Sequence, residues 1–292
     1  YRPIETERQI SFNTSLLYTL HEGKKINILD APGFSDYSGE ILAALSVADT
    51  AIFTVNGQNG VEATTENAWR QAEKAEIPVV FFINQLDHHN ANFDESVRQL
   101  KDYYGDKVTL AQYPVITGEG FDSIIDLMLM KMLVFKPSGG APDVLDIPAE
   151  EVQKAEKLHR SLIENAAEGD ETLMEKYFET DNLDLDEVRK GIKLGMINRG
   201  VFPVFCGASK HGVGVYRLMD FIVYTCPCPS CVAPRKLTSG KEFRCLPTDP
   251  AALFIFKLAN EQHLGEVSLI KVYGGEIYEG QDLINPRTGN KE

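Results

Sequence analysis

Positive charge is scarce in this chain: 29 Lys and Arg against 43 Asp and Glu give a formal net charge of −14. That excludes non-specific binding of nucleic acid over the whole surface and leaves room only for a local basic face meeting RNA. Long apolar runs are missing as well. The longest, such as Val79 to Ile83, are far too short to cross a bilayer, so no membrane partner is expected. There are only five cysteines, an odd count, which fits a reducing compartment such as the cytoplasm better than a disulfide framework. No internal repeat or low-complexity tract occurs. Tyr1 is not an initiator residue, so the chain is expected to begin inside a longer one, and the lack of a targeting signal is uninformative. What is present is ordinary for a globular protein: 43% hydrophobic and 25% charged residues over 292 positions, enough for two domains with a sizeable core.

Strand and helix patterns alternate through the first part. Ile10, Phe12, Thr14 and Leu16 alternate with polar residues, and His21-Glu22-Gly23-Lys24 turns the chain into Lys25–Leu29, which reads as a buried strand. Ser38 is a candidate N-cap for a helix carrying Ile41, Leu42, Leu45 and Ala48. Thr50–Val55 reads as a strand, Thr64–Glu76 as a helix bearing the single Trp69, a core residue by expectation. Pro78–Ile83 is an unbroken apolar strand of the kind covered on both faces, and Asp94–Tyr104 is helical. This alternation predicts an α/β fold with a doubly wound, mainly parallel sheet. From about 140 to 198 the chain is acidic and helix-rich, with Ala149–Ala167 and Asp184–Gly195 as helices and Gly139-Gly140-Ala141-Pro142 as a boundary. Val201–Cys206 returns to strand and Val213–Thr225 to helix; Arg235–Arg244 reads as a linker or exposed ribbon. Leu253–Leu258, Val267–Tyr273 and Glu276–Tyr278 then read as strands of a β domain.

Three strand ends carry chemistry. Asp30-Ala31-Pro32-Gly33 places a carboxylate where it can hold Mg²⁺ through water, and a glycine whose bare backbone N–H can approach a phosphate. Asn84-Gln85-Leu86-Asp87 offers a carboxylate able to accept two parallel hydrogen bonds, from N1–H and the 2-amino group of guanine. Adenine lacks both donors in that arrangement, and a carboxylate left unpaired rejects it. Gly207-Ala208-Ser209-Lys210 supplies a backbone N–H near Ser209 for guanine O6 and a Lys210 stem to lie against the ring. Each alone also fits an ordinary strand-to-loop turn. Their order, each after a buried strand, points to one guanine-nucleotide cleft at the carboxyl ends of the sheet.

With these motifs in this order, the chain resembles elongation factor G, a family of translational GTPases, or a divergent paralogue of it. Glu7-Arg8-Gln9-Ile10-Ser11 resembles the end of the family's switch I, and Asp30-Ala31-Pro32-Gly33 its switch II. Trp69-Arg70-Gln71-Ala72 resembles a family helix; Asp249–Leu253 and Lys271–Gly275 resemble the start of its β-barrel second domain. The resemblance implies a partial GTP-binding domain over 1–235, a helical insertion subdomain about 110–198, and the start of a β-barrel over 236–292. It implies GTP or GDP with Mg²⁺ as ligands, Ser11 and Asp30 as the metal's protein partners, and ribosomal RNA and stalk proteins as macromolecular partners of a monomer.

Four departures qualify this. No Gly-x-x-x-x-Gly-Lys-Ser/Thr occurs, so the phosphate-cradling loop and first strand are expected outside this chain, which by itself is expected to bind nucleotide poorly. Gln85 replaces a lysine whose stem packs beside the base, and Ser11 replaces the family's Mg²⁺-binding threonine while keeping its hydroxyl. Phe34 stands where the family has the histidine that orients the attacking water, and a phenyl ring can neither donate nor accept that hydrogen bond. Slow hydrolysis is the expectation, with a non-hydrolysing ribosome-binding regulator, a ribosome-protection factor and a nucleotide-free interaction module as rivals. In Cys226-Pro227-Cys228-Pro229-Ser230-Cys231 and Cys245, only Cys228 and Cys231 have the two-residue spacing that zinc favours, so free thiols in a Pro-rich turn are expected. His88-His89 reads as exposed loop, and the acidic stretch 168–187 as a solvated face.

Overall fold

The computed structural model describes residues 3–137, 139–231, 235–236, 240, 242–261 and 265–292. The chain forms two compact units, residues 1–227 and 228–292.

The first unit opens with a short helix, α1 (Pro3–Arg8), whose buried Glu5 accepts backbone hydrogen bonds from Phe12 and Asn13 at 2.7 and 3.0 Å. Strands β1 (Ser15–His21) and β2 (Lys24–Asp30) then form an antiparallel hairpin. Glu22 and Gly23 both have positive φ, +46° and +69°, the geometry of the two-residue turn whose twist matches the strands. Here the structure corrects an expectation: β2 is not buried. The hairpin is a sheet of its own with no third strand beside it among the described residues, so Leu16, Leu20 and Ile28 stay exposed. Its tip is held instead by side chains. His21 Nε2 lies 2.6 Å from Asp220 Oδ1, and its ring stands edge-on to Tyr216. At its base, Thr14 N–H and hydroxyl bond to Glu40, at 2.5 and 3.1 Å.

Helix α2 (Ser38–Leu45) follows a 3-10 turn at Ser35–Tyr37, so Ser38 lies inside the helix and is not its cap. The main sheet then builds from β3 (Ala51–Asn56), α3 (Ala63–Lys74), β4 (Val79–Asn84), α4 (Phe93–Tyr104) and β5 (Val108–Leu110). With β10 (Phe202–Cys206), which arrives much later in the chain, the sheet order is β3-β4-β10-β5, all parallel. Val79 to Ile83 are buried on both faces, as their unbroken apolar run requires. On one face Trp69 of α3 packs against Phe53, Phe81, Tyr104 and Phe202, with ring centroids 4.2–6.2 Å apart.

Between β5 and β10 the chain first makes a four-stranded antiparallel sheet: β6 (Gln112–Pro114), β7 (Ser123–Asp126), β8 (Lys131–Val134) and β9 (Asp143–Leu145). Among the described residues between 112 and 145 the elements are therefore four short strands, where the expectation has a helical insertion. Gly139-Gly140-Ala141-Pro142 is part of the loop joining β8 to its partner β9, not a boundary; both glycines take positive φ there. Three helices follow: α5 (Ala149–Ala167), α6 (Glu171–Thr180) and α7 (Leu185–Ile197). Asp184 caps α7, accepting from the N–H groups of Asp186 and Glu187, while Glu187 accepts from Asp184 N–H at 2.8 Å. Gly191 lets α7 press against α5: a Cβ there would overlap the Ala166 carbonyl oxygen. The first unit ends with α8 (Val215–Tyr224), whose buried Arg217 donates to fully buried Asp126 of β7 at 2.8 Å. Asp126 also accepts from Gln112 and from the N–H groups of Met128 and Leu129, so the buried carboxylate is fully engaged.

In the second unit β11 (Arg235–Lys236) pairs antiparallel with β12 (Glu242–Phe243), and β13 (Ala252–Glu261) with β14 (Gly265–Gly274). The expected ribbon at 235–244 is described only in part, since residues 237–239 and 241 lie outside the described residues. Glu276–Tyr278, expected as strand, is not one.

Candidate functional site

Two loops leave the carboxyl ends of the neighbouring parallel strands β4 and β10, and the sheet brings them side by side. Asn84 closes β4; its Nδ2 donates to Ser209 Oγ at 2.9 Å, and its Oδ1 accepts from Ser209 N–H at 2.9 Å. Two further backbone bonds reinforce the junction, Gly207 N–H to Ile83 O at 2.9 Å and Leu86 N–H to Gly207 O at 3.2 Å. Gly207 is required for this approach: a Cβ would overlap the Val213 carbonyl oxygen and come within 2.7 Å of the Phe82 ring. Loops whose linked residues Asn84 and Ser209 lie 125 positions apart are thus locked together by four hydrogen bonds.

Asp87 sits three residues along the same loop, partly buried, with its Oδ2 3.3 Å from His211 Nε2. His211 is a neighbour that sequence reasoning missed, because Ser209-Lys210-His211 looks like any polar turn. Gln85 takes a positive φ of +61°, and its Oε1 accepts from Gln58 Nε2 at 3.1 Å, so its side chain is tied to the loop after β3. Lys210 is exposed. Ala208 is buried, and its N–H donates to Val213 O at 3.0 Å. The N–H groups of both Ala208 and Ser209 therefore have internal acceptors, and the one expected to meet a base oxygen at Ser209 is already engaged by Asn84.

The other candidates lie on and after the hairpin. Asp30 ends β2, in register with Ser15 of β1. Ser11 lies between α1 and β1, beside Phe12, whose ring packs on Tyr37 at 5.4 Å. Gly33 lines a cleft of about 300 Å³ between α2 and α3, with Ser38, Ile41, Thr64, Asn67 and Arg70. Neither Asn84, Asp87 nor Ser209 lines that cleft. Phe34 is 54% exposed. The structure thus joins Asn84, Asp87 and Ser209 in one cluster and groups the segments of Ser11 and Gly33–Phe34 in a second.

A model of the elongation factor Tu GTP-binding domain matches residues 1–228. The chain belongs to this GTP-binding domain family. Among its relatives, elongation factor G of Ureaplasma urealyticum serovar 10 is 34% identical, and that of Ureaplasma parvum serovar 3 is 33% identical. In each case the match covers 99% of this chain and 43% of the relative, so the chain spans less than half their length. A crystal structure of a Thermus thermophilus protein superposes with a TM-score of 0.82 at 24% identity, over 97% of this chain and 40% of that one, which establishes a shared fold. The GTP-binding domain carries the expected α/β architecture, with a parallel sheet, helices and separate antiparallel sheets. Guanine-nucleotide binding is the family's defining property. Among the described residues no helix is long and apolar enough to cross a membrane, and no group of three or more His, Cys, Asp or Glu gathers to hold a metal ion.

Proposed function

We propose that this chain is the nucleotide-reading part of an elongation-factor-G-like protein that binds GTP with Mg²⁺ and promotes translocation on the ribosome. It works in the cytoplasm, is a monomer off the ribosome, and contacts ribosomal RNA and stalk protein. The observation that carries this reading is the double hydrogen bond between Asn84 and Ser209 beside the Asp87 carboxylate. Those two loops form a rigid rim at the carboxyl ends of parallel strands, where open α/β sheets bind ligands. Asp87 retains accessible carboxylate surface and accepts from N1–H and the 2-amino group of guanine; Lys210 and Gln85 flank the ring. Ser11 hydroxyl and Asp30 carboxylate are hard oxygen donors of the kind Mg²⁺ takes, Asp30 through water. When bound, the ion neutralises charge on the phosphates.

Phe34 sets the rate in this reading. Its exposed ring offers no group to orient water, and losing such a group costs roughly 10²–10⁴-fold. The same observation favours a second reading, a GTP-gated ribosome-binding regulator that does not hydrolyse. Calorimetric titration of the full-length protein with guanosine and adenosine diphosphates tests the shared core: guanosine diphosphate is expected to bind about 10³-fold tighter. Equal affinities would reject the nucleotide reading. Ribosome-stimulated turnover then separates the two rates, and turnover at the ordinary speed of the family would remove the slow-hydrolysis claim.

A further inference from the structure

The run Cys226-Pro227-Cys228-Pro229-Ser230-Cys231 is used by neither the nucleotide cluster nor the sheet. Its thiols differ sharply. Cys226 is buried, and burial pushes its thiol up to about 12, so it stays protonated and inaccessible. Cys228 and Cys231 are exposed and unbridged. They are the first and last residues of one tight turn, in which Cys231 N–H donates to Cys228 O at 2.8 Å. A turn closed in this way holds its end Cα atoms within about 7 Å. A disulfide spans roughly 4.4–6.8 Å between Cα atoms, so the backbone is already near the bridged geometry. Pro229 fixes its own φ and stiffens the turn.

The side chains converge as well. Ser230 Oγ lies 3.2 Å from Cys228 Sγ, and the Cys228 and Cys231 side chains share a hydrogen bond. Burial pushes the Cys228 thiol up, but hydrogen bonds from Cys231, from the Ser230 hydroxyl and from the backbone N–H groups of Ser230 and Cys231 outweigh it and hold it below the ordinary cysteine range. Cys228 therefore carries the larger thiolate fraction near neutral pH, and Cys231, at the other end of the same turn, is placed to resolve a mixed disulfide on it.

We propose that Cys228 and Cys231 form a redox-active dithiol that is oxidised by exchange with a low-molecular-weight disulfide. The Cys228 thiolate attacks one sulfur of the small disulfide; a Cys228–sulfur bond forms, the small S–S bond breaks, and one small thiolate leaves. Cys231, giving its proton to solvent, then attacks Cys228 Sγ, forms the internal disulfide and releases the second small thiolate. Two protein thiols are oxidised and one small disulfide is reduced to two thiols. In a reducing compartment the pair rests as dithiol and closes when the poise rises.

The test equilibrates the whole chain in mixtures of reduced and oxidised glutathione, quenches with acid, alkylates free thiols and weighs the tryptic peptide 218–235, which carries Cys226, Cys228 and Cys231. The expected result is a peptide two hydrogens lighter, whose alkylated thiols fall from three to one as the buffer becomes oxidising. Cys226→Ser keeps the bridge, Cys228→Ser abolishes it, and Cys231→Ser traps a glutathione adduct on Cys228. The proposal is overturned if the wild-type peptide keeps three alkylatable thiols across the range, or if the bridge persists in Cys228→Ser. Retention of zinc that blocks oxidation would also overturn it.

Discussion

The two clusters of the GTP-binding domain are built on unlike foundations. Asn84, Asp87 and Ser209 leave strands β4 and β10, whose residues are buried on both faces and paired on both sides. Asp30, Gly33 and Phe34 leave a two-stranded hairpin with apolar residues still exposed, held by His21–Asp220 at one end and Thr14–Glu40 at the other. A two-stranded ribbon is marginal by itself, whereas a central parallel strand is fixed by packing. Under the proposed function this contrast becomes a division of labour: base recognition is assigned to the loops of the buried parallel strands, and the steps that respond to the phosphates to the hairpin side, which fewer contacts hold.

The sharpest way to break that division is at Phe34. Phe34→His should raise ribosome-stimulated GTP hydrolysis by roughly 10²-fold or more while leaving nucleotide affinity within about twofold, measured by single-turnover assay. No gain would show that the hairpin side is not limiting. Next comes the support of the rigid side. Arg217→Met leaves Asp126 buried without its cation and should cost about 3–5 kcal/mol in urea unfolding, while Arg217→Met with Asp126→Leu should recover much of it. A somewhat smaller loss is expected for Asn84→Ala, which removes the two hydrogen bonds that fix the exposed Ser209 loop, each worth about 0.5–1.5 kcal/mol: about 1–3 kcal/mol in guanosine diphosphate binding by calorimetry. The smallest effect concerns acid. The Asp170 carboxyl is held well below its usual range by the Thr172 hydroxyl, by Lys190 and by Leu173 N–H, against a smaller opposing effect of burial. A depressed carboxyl contributes stability that is present above its unfolded value and lost as pH falls through the folded one. Melting temperature should therefore fall on acidification below about pH 4, and the part due to Asp170 should vanish in Asp170→Asn.

Legibility in the sequence follows the same physics. Strand β4 is plain because five apolar residues in a row have few other homes, and α5 ends where its amphipathic period ends. The strands at 112–145 are hidden because three or four residues carry too little period to read. The apolar residues Ile26, Ile28 and Leu29 show a strand in β2 but cannot show its neighbours, so the expectation of burial fails there. At the site, Asn84 and Ser209 could be linked by motif order across 125 residues. The approach of His211 to Asp87 left no such trace, since it depends on how one short turn is oriented.

Whether Asp87 reads the base is decided by the nucleotide preference of Asp87→Asn in the full-length protein. An amide at that position still accepts from N1–H but now donates where guanine also donates, and it suits xanthine, which has an oxygen there. Calorimetry should find guanosine diphosphate weakened by about 10³-fold and xanthosine diphosphate bound in its place. Unchanged binding of guanosine diphosphate by the variant would show that Asp87 does not contact the base.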